Sequence, residues 1–384
     1  MTLLLVAFLF VTVLAECECG YSTVVNGSVD TLSYVFTDVI EADFLHIRNI
    51  SLDTDWRRQN FSFTPEQGRG PYGMNYTIDN VVSNPIDKPT DWSGPGVFGP
   101  NAGVQLSVSP GIPSDGYIKG AELNSAREDL LWGTYRAGLK LTRVSGTCSA
   151  FFWYYNDAQE IDIEFLSALY VPENKTFPIN LVLQTEASKA AGYDAQKSGT
   201  YILTNLPFDP TDGFHEYRID FVPGNIVFYG DGIVLGRMNH SSIPTKPSPG
   251  HMILTHWSNG NPLWSHGPPA EEAVLTVSYV KSYFNSSSHN RTLQYASRCK
   301  NPHAYDSVCA IPDSSIDHVP IDGEDGATPA APVASNYFFS DYENKTVGQT
   351  IYGKKSGADG FAVAWYLVWS AITVFTVLYV GGFA

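Results

Sequence analysis

Basic residues are scarce in this chain. Its 384 residues include 23 Lys and Arg against 39 Asp and Glu, for a formal net charge of −16. An excess of negative charge repels a phosphate backbone, and no basic stripe or phosphate-cradling glycine loop offsets it, so nucleic acid is excluded as a partner. The five cysteines lack the paired Cys/His spacing of a zinc site, and neither a metal nor a cofactor is expected. No segment recurs at a period of about 20–50 residues, which excludes solenoids and propellers. Charged residues of both signs make up only 16% of the chain, whereas aromatics reach 13%, with 33 Gly and 24 Pro. A chain so rich in turns and rings, and so poor in helix formers, reads as an all-β sandwich.

Apolar runs stand at both ends. Residues 1–15, MTLLLVAFLFVTVLA, read as a signal peptide with no Lys or Arg before the apolar stretch. A short uncleaved anchor is the alternative. Residues 361–384 carry no charge and are long enough to cross a bilayer. Lys354 and Lys355 precede this run on the exported side, against the positive-inside preference. That favours replacement of the tail by a glycolipid anchor near Ser356, Gly357 and Ala358. In the alternative, a retained span, Trp365 and Trp369 sit at the interface. Either way the C-terminal tail attaches the protein to a membrane, and the cell surface is the expected location.

The rest agrees with export. Nine Asn-X-Ser/Thr sequons begin at Asn26, Asn49, Asn60, Asn75, Asn174, Asn239, Asn285, Asn290 and Asn344. Chance would give about three. In an oxidising compartment Cys299 and Cys309 are expected to close a small loop, and Cys148 to pair with Cys17 or Cys19. Residues 286–312 form a short cysteine-containing segment. Residues 313–360 read as a linker of low structure, because Pro, Asp and Ala dominate their first half.

Residues 16–285 read as strand after strand. Apolar or alternating runs at 45–50, 104–108, 139–144, 149–155, 179–184, 217–222, 226–229 and 275–283 are separated by Gly, Pro and Asn. The unusual run is 159–165, Gln-Glu-Ile-Asp-Ile-Glu-Phe. On a strand, Glu160, Asp162 and Glu164 share one face while Ile161, Ile163 and Phe165 share the other. Like charges on one face repel, so the acidic face is either solvated or crowded for a purpose. Retaining glycosidases need two carboxyl groups about 5–5.5 Å apart, one a nucleophile and one an acid then base. The Cα atoms of Glu160 and Glu164 lie about 13 Å apart on a strand, a gap two side chains leaning toward a sugar largely close. Asp162 between them can hydrogen-bond one and hold their pKa values apart.

Glu-Ile-Asp-Ile-Glu resembles the signature of glycoside hydrolase family 16, and other runs follow in the family's order. These are 133–140 (GTYRAGLK), 149–155 (SAFFWYY), 214–221 (FHEYRIDF), 226–232 with its Asp-Gly turn, 256–264 (HWSNGNPLW) and the strand 277–284. The resemblance covers about residues 20–285. It implies a β-jelly-roll sandwich of two antiparallel sheets, concanavalin A-like, with a cleft across one of them. It further implies that Glu160 is the nucleophile, Asp162 its assistant and Glu164 the acid/base. The layout resembles secreted members of fungal type, which makes cell-wall β-glucan the expected substrate, β-1,3 or mixed β-1,3/1,4, and a monomer the expected state. Hydrolysis, transfer to another sugar, and binding without cleavage all fit the motif. For sugar stacking, Trp257 and Trp264 stand out in a Gly/Asn/Pro-rich loop. Trp153 and Tyr154 face opposite ways on one strand, and the sequence does not choose between them. His215 is either a buried orienting residue or a substrate contact, and Gln184 is a candidate groove residue on a neighbouring strand.

Overall fold

The computed structural model describes residues 16–27, 31–239, 241, 243–314, 334–346 and 349. The apolar runs 1–15 and 361–384, and with them the expected signal peptide and tail, lie outside these residues. Among the described residues no helix is long and apolar enough to cross a membrane.

Two large sheets face one another. The front sheet runs in the order Tyr201–Asn205, Pro178–Thr185, Gln159–Leu166, Cys148–Asn156, His251–Trp257, Tyr117–Ser125, Gly73–Tyr76 and Phe61–Phe63, with Trp56–Arg58 also paired to Tyr117–Ser125. The back sheet runs Ile233–Met238, Asn225–Gly230, His215–Val222, Leu130–Lys140, Ala273–Ser286, Gly103–Val108 and Val81–Asn84, with Asp38–Asp43 also paired to Ala273–Ser286. Within the two sheets all pairings are antiparallel except that of Gly73–Tyr76 with Tyr117–Ser125. This is the expected sandwich.

Alternation explains how the core forms. Ile161, Ile163 and Phe165 from the acidic strand meet Phe151 and Trp153 from its neighbour, and Tyr217, Ile219 and Phe221 from the back sheet, in one continuous apolar cluster. Each large side chain so buried contributes about 1.5–3 kcal/mol, enough to fix the register and hence the face on which the acids emerge.

A third layer lies outside the back sheet. Strands Tyr21–Asn26 and Thr31–Phe36 form a hairpin, to which Cys309–Ala310 adds a short parallel strand. Residues 334–346 pack beside them. Phe339 lies against Tyr21 and Tyr283, and Phe338 stacks on Trp92. Lys281 Nζ donates to the carbonyls of Ala334 and Tyr337, while Glu41 accepts from the backbone amides of Phe339 and Ser340. The linker expected over 313–360 is therefore corrected over residues 334–346, which are docked. Phe338 and Phe339 of that stretch bury themselves on a back sheet whose outer face bears Glu41, Arg136, Glu216, Arg218, Asp220 and Lys281, all buried.

The cysteine pairing is also corrected. Cys17 is bridged to Cys309 and Cys19 to Cys299, while Cys148 is a free, buried thiol. The parallel pairing of Tyr21–Asn26 with Cys309–Ala310 carries both N-terminal cysteines to the C-terminal segment. Cys148 opens a front-sheet strand and pairs across from Leu166 and Trp257, on the other side of the sandwich.

Candidate active site

The three acids emerge together from Gln159–Leu166, and strand register defines what surrounds them. Across one side, Glu160 stands opposite Tyr154, Asp162 opposite Phe152 and Glu164 opposite Ala150. Across the other, Glu160 stands opposite Gln184, Asp162 opposite Val182 and Glu164 opposite Asn180. One strand further on, Trp257 lies opposite Cys148 and Thr255 opposite Ala150, and Thr255 in turn faces Glu122. Directly paired residues point to the same face, so these side chains line one surface.

Burial sets the chemistry of this surface. Glu160 is pushed up to about 7, chiefly by burial and then by the charges of Glu164 and Asp157, against a hydrogen bond from Asp162 and the positive charge of Arg69. Asp162 is held well above the usual carboxylate range by burial and by its two glutamate neighbours, and it donates to Glu160. Glu164 is also raised to about 7 by burial, opposed by donors from Trp264 and Cys148 and by Arg69. The Cys148 Sγ lies 3.7 Å from Glu164 Oε1. The result is three acids all held above the usual carboxylate range by burial, with Asp162 hydrogen-bonded to Glu160 and Trp264 and Cys148 donating to Glu164. The two glutamates flank Asp162 on one face with different partners, the arrangement that acid/base and nucleophilic roles require.

The other expected residues divide. Trp264 approaches the acids from the loop after His251–Trp257 and donates to Glu164. Trp257 and Tyr154 lie on the acidic face by register, and the Tyr154 hydroxyl is tied to Asp157 Oδ1 at 2.9 Å. Gln184 is beside Glu160, and its Oε1 is buried without a hydrogen-bond partner, a free acceptor at the edge of the acidic group.

Two candidates for substrate contact, each left open by the sequence, are decided against. Trp153 is fully buried between the sheets, packs on Phe221 and donates to the carbonyl of Leu130, so it cannot touch a ligand on the acidic face. A Cβ at Gly250 would overlap its indole, so that position admits only glycine. His215 belongs to the back sheet. Its ring nitrogens meet Asp231 Oδ2 at 2.7 Å and the Asp209 carbonyl at 3.1 Å, and it stacks on Phe208. It orients a hairpin of that sheet, not a substrate.

Sequence reasoning missed Glu122 and Arg69. Burial raises Glu122 to about 7, and it shares the acidic face from three strands away. Its signal was the alternation of Glu122 and Asn124 with Ala121 and Leu123, which enter the core. Arg69 gave no signal, because it reaches the acids from a turn far from them in sequence.

A sandwich with coupled, half-covered carboxylates beside indole and phenol rings defines a carbohydrate-active class of protein. Comparison with known proteins narrows the class. The family described as "Glycosyl hydrolases family 16" matches residues 87–281, just over half of the chain, and the chain belongs to that family. The chain is 30% identical over 133 residues to a "Beta-glucanase" of Paenibacillus macerans, across 33% of this chain and 48% of that protein. It is 34% identical over 155 residues to "Xyloglucan endotransglucosylase/hydrolase protein 31" of Arabidopsis thaliana, across 38% of this chain and 47% of that protein. The chain thus spans about half the length of these relatives. Among solved structures, the endo-β-1,3-glucanase of Pyrococcus furiosus aligns over 69% of this chain and 99% of its own, with 16% identity and a TM-score of 0.48.

Proposed function

We propose that the protein is a retaining glycoside hydrolase acting on β-glucan, β-1,3 or mixed β-1,3/1,4, with Glu160 as nucleophile and Glu164 as acid/base. The observation that carries this reading is the placement of Glu160, Asp162 and Glu164 on one face of one strand, with Asp162 hydrogen-bonded to Glu160 and the Cys148 thiol 3.7 Å from Glu164. In the first step Glu160 attacks the anomeric carbon, the glycosidic C–O bond breaks, and the Glu164 proton passes to the leaving oxygen. Asp162 steadies Glu160 before attack and accommodates its loss of charge afterwards. In the second step the Glu164 carboxylate takes a proton from water, whose oxygen displaces Glu160. The name of the Paenibacillus relative supports β-glucan as substrate. That of the Arabidopsis relative supports a second reading, in which a sugar hydroxyl replaces water.

The same proposal has the protein at the cell surface, exported by residues 1–15 and attached to the membrane through its C-terminal segment, by a glycolipid anchor near Ser356, Gly357 and Ala358 or by a retained span over residues 361–384, in contact with wall glucan. Two disulfides support an oxidising compartment. Incubation with labelled β-glucan oligosaccharides, followed by sizing of the products, tests the reading. Shorter products mean hydrolysis and longer ones transfer. Oligosaccharide that is bound but unchanged would leave only a lectin.

A further inference from the structure

The acidic strand is covered. Helix Pro65–Gly68 ends at Arg69, whose backbone is left-handed at φ 57°. This turn is fastened to the loop after His251–Trp257, because Asn259 Nδ2 donates to the Gly68 carbonyl at 2.6 Å and Asn261 Nδ2 to that of Arg69 at 3.0 Å. From there Arg69 Nη1 donates to the carbonyl of Gly192 at 3.3 Å, and its guanidinium lies 4.8 Å over the Tyr193 ring. Tyr193 is itself left-handed at φ 67°, and its hydroxyl donates to Asp157 Oδ2 at 3.0 Å. Asp157 also receives the Tyr154 hydroxyl, so this end is pinned too.

Register shows where this contact passes. The Asn259 loop follows Trp257, which lies beside Cys148, and Cys148 lies beside Leu166, so it belongs to the Glu164 end of the acidic strand. Gly192 and Tyr193 follow Thr185, which pairs with Gln159, so they belong to the Glu160 end and to the strand's opposite side. A line between the two anchors crosses the acidic strand diagonally. The Arg69 charge acts on Glu160, Glu164 and Tyr193 alike, in agreement with this path.

We propose that Arg69 and the Gly192–Tyr193 turn form a latch over the three acids, which must part before an internal stretch of β-linked polysaccharide can lie on them. A short oligosaccharide, which spans less of the acidic face, is less obstructed by it. The latch is one long exposed hydrogen bond and one cation–π contact, together a preference for the closed form of about five- to thirtyfold. It is thus a gate that a polymer opens, and an apparent polymer affinity is the intrinsic one multiplied by the fraction of time the latch is open. Left-handed backbone at both tips, in residues other than glycine, is the kind of local strain found where a segment has to move.

The proposal rests on the β-glucan reading, and the test separates the two. Arg69→Ala removes one side of the latch. Tyr193→Asn removes the ring while tolerating the left-handed turn. Parent and variants are assayed on long β-glucan, for viscosity loss per reducing end released, and on an aryl β-oligoglucoside for kcat/KM. Both variants are expected to lose viscosity faster per bond broken and to raise the polymer-to-oligosaccharide ratio of kcat/KM about fivefold or more. An unchanged or lower ratio in both variants overturns the latch. If even the parent leaves β-glucan uncleaved and untransferred, the catalytic reading fails. The association rate of each form with immobilised β-glucan then decides the latch separately. Faster association without Arg69 supports it, and equal rates or no binding overturn it.

Discussion

Asp162 donates its carboxyl proton to Glu160 from two residues away on the same face of one strand. A strand brings such neighbours to about 7 Å between Cα atoms, so the bond forms only because both side chains lean together. Burial makes the ionised pair costly, and sharing one proton is the cheaper state. The motif is acidic in sequence, and burial raises the pKa of each of its three acids in the folded protein.

That difference predicts distinct outcomes for the two glutamates. Glu160→Ala should abolish turnover, and added azide should restore it with a glycosyl azide of inverted configuration. Glu164→Ala should slow cleavage of unactivated glucan by about 10²–10⁴-fold and give an azide product of retained configuration, because the glycosyl-enzyme on Glu160 still forms. Product stereochemistry by NMR checks this. The opposite pair of configurations would exchange the two roles.

Stability should fall as pH rises through the acids' range. Glu164 ionises at about 7 in the folded chain against 4.5 when unperturbed. A raised acid contributes its stability below the unfolded value and loses it as pH rises through the folded value. Glu164→Gln should therefore match the parent near pH 4.5 and exceed it at pH 8. Allowing about 1 kcal/mol for a partly solvated group, Tm should rise by about 2–4 °C. Thermal melts at the two pH values check this, and equal melting of parent and variant at pH 8 would refute it.

The donors on Glu164 should be visible in the pH profile. Trp264 and Cys148 both lower its pKa, so Trp264→Phe and Cys148→Ala should each move the alkaline limb of kcat/KM to higher pH. The limb moves up because the acid stays protonated longer. A profile that keeps its limb in both variants would mean that neither donor acts on the acid.

The third layer should prove integral to the sandwich. Peptide mapping without reductant should recover Cys17 with Cys309 and Cys19 with Cys299, and denaturation should expose one thiol, that of Cys148. Ending the chain after residue 312 should cost about 3 kcal/mol or more, since Phe338 and Phe339 leave buried positions. Chemical denaturation measures this, and an unshifted midpoint would show that the segment only rests on the sheet.

Much of this was legible in the chain. The side-chain alternation of a strand is local geometry, so Glu160, Asp162 and Glu164 could be assigned a common face from seven residues. The sandwich followed from many alternating runs broken by turns. Trp153 against Tyr154 was a choice between faces, and only the opposing sheet could make it: Phe221 waits on one side and Asp157 on the other. His215 resembled a site residue by its neighbours in sequence, yet its strand joined the other sheet. The cysteine pairs, the docking of residues 334–346 and the reach of Arg69 to Gly192 join positions 123 to 292 residues apart or separated by several strands. No local pattern encodes such contacts. They arise when sheets stack and bury apolar surface, and the latch over the acids exists only because two turns from opposite sides of one sheet meet above it.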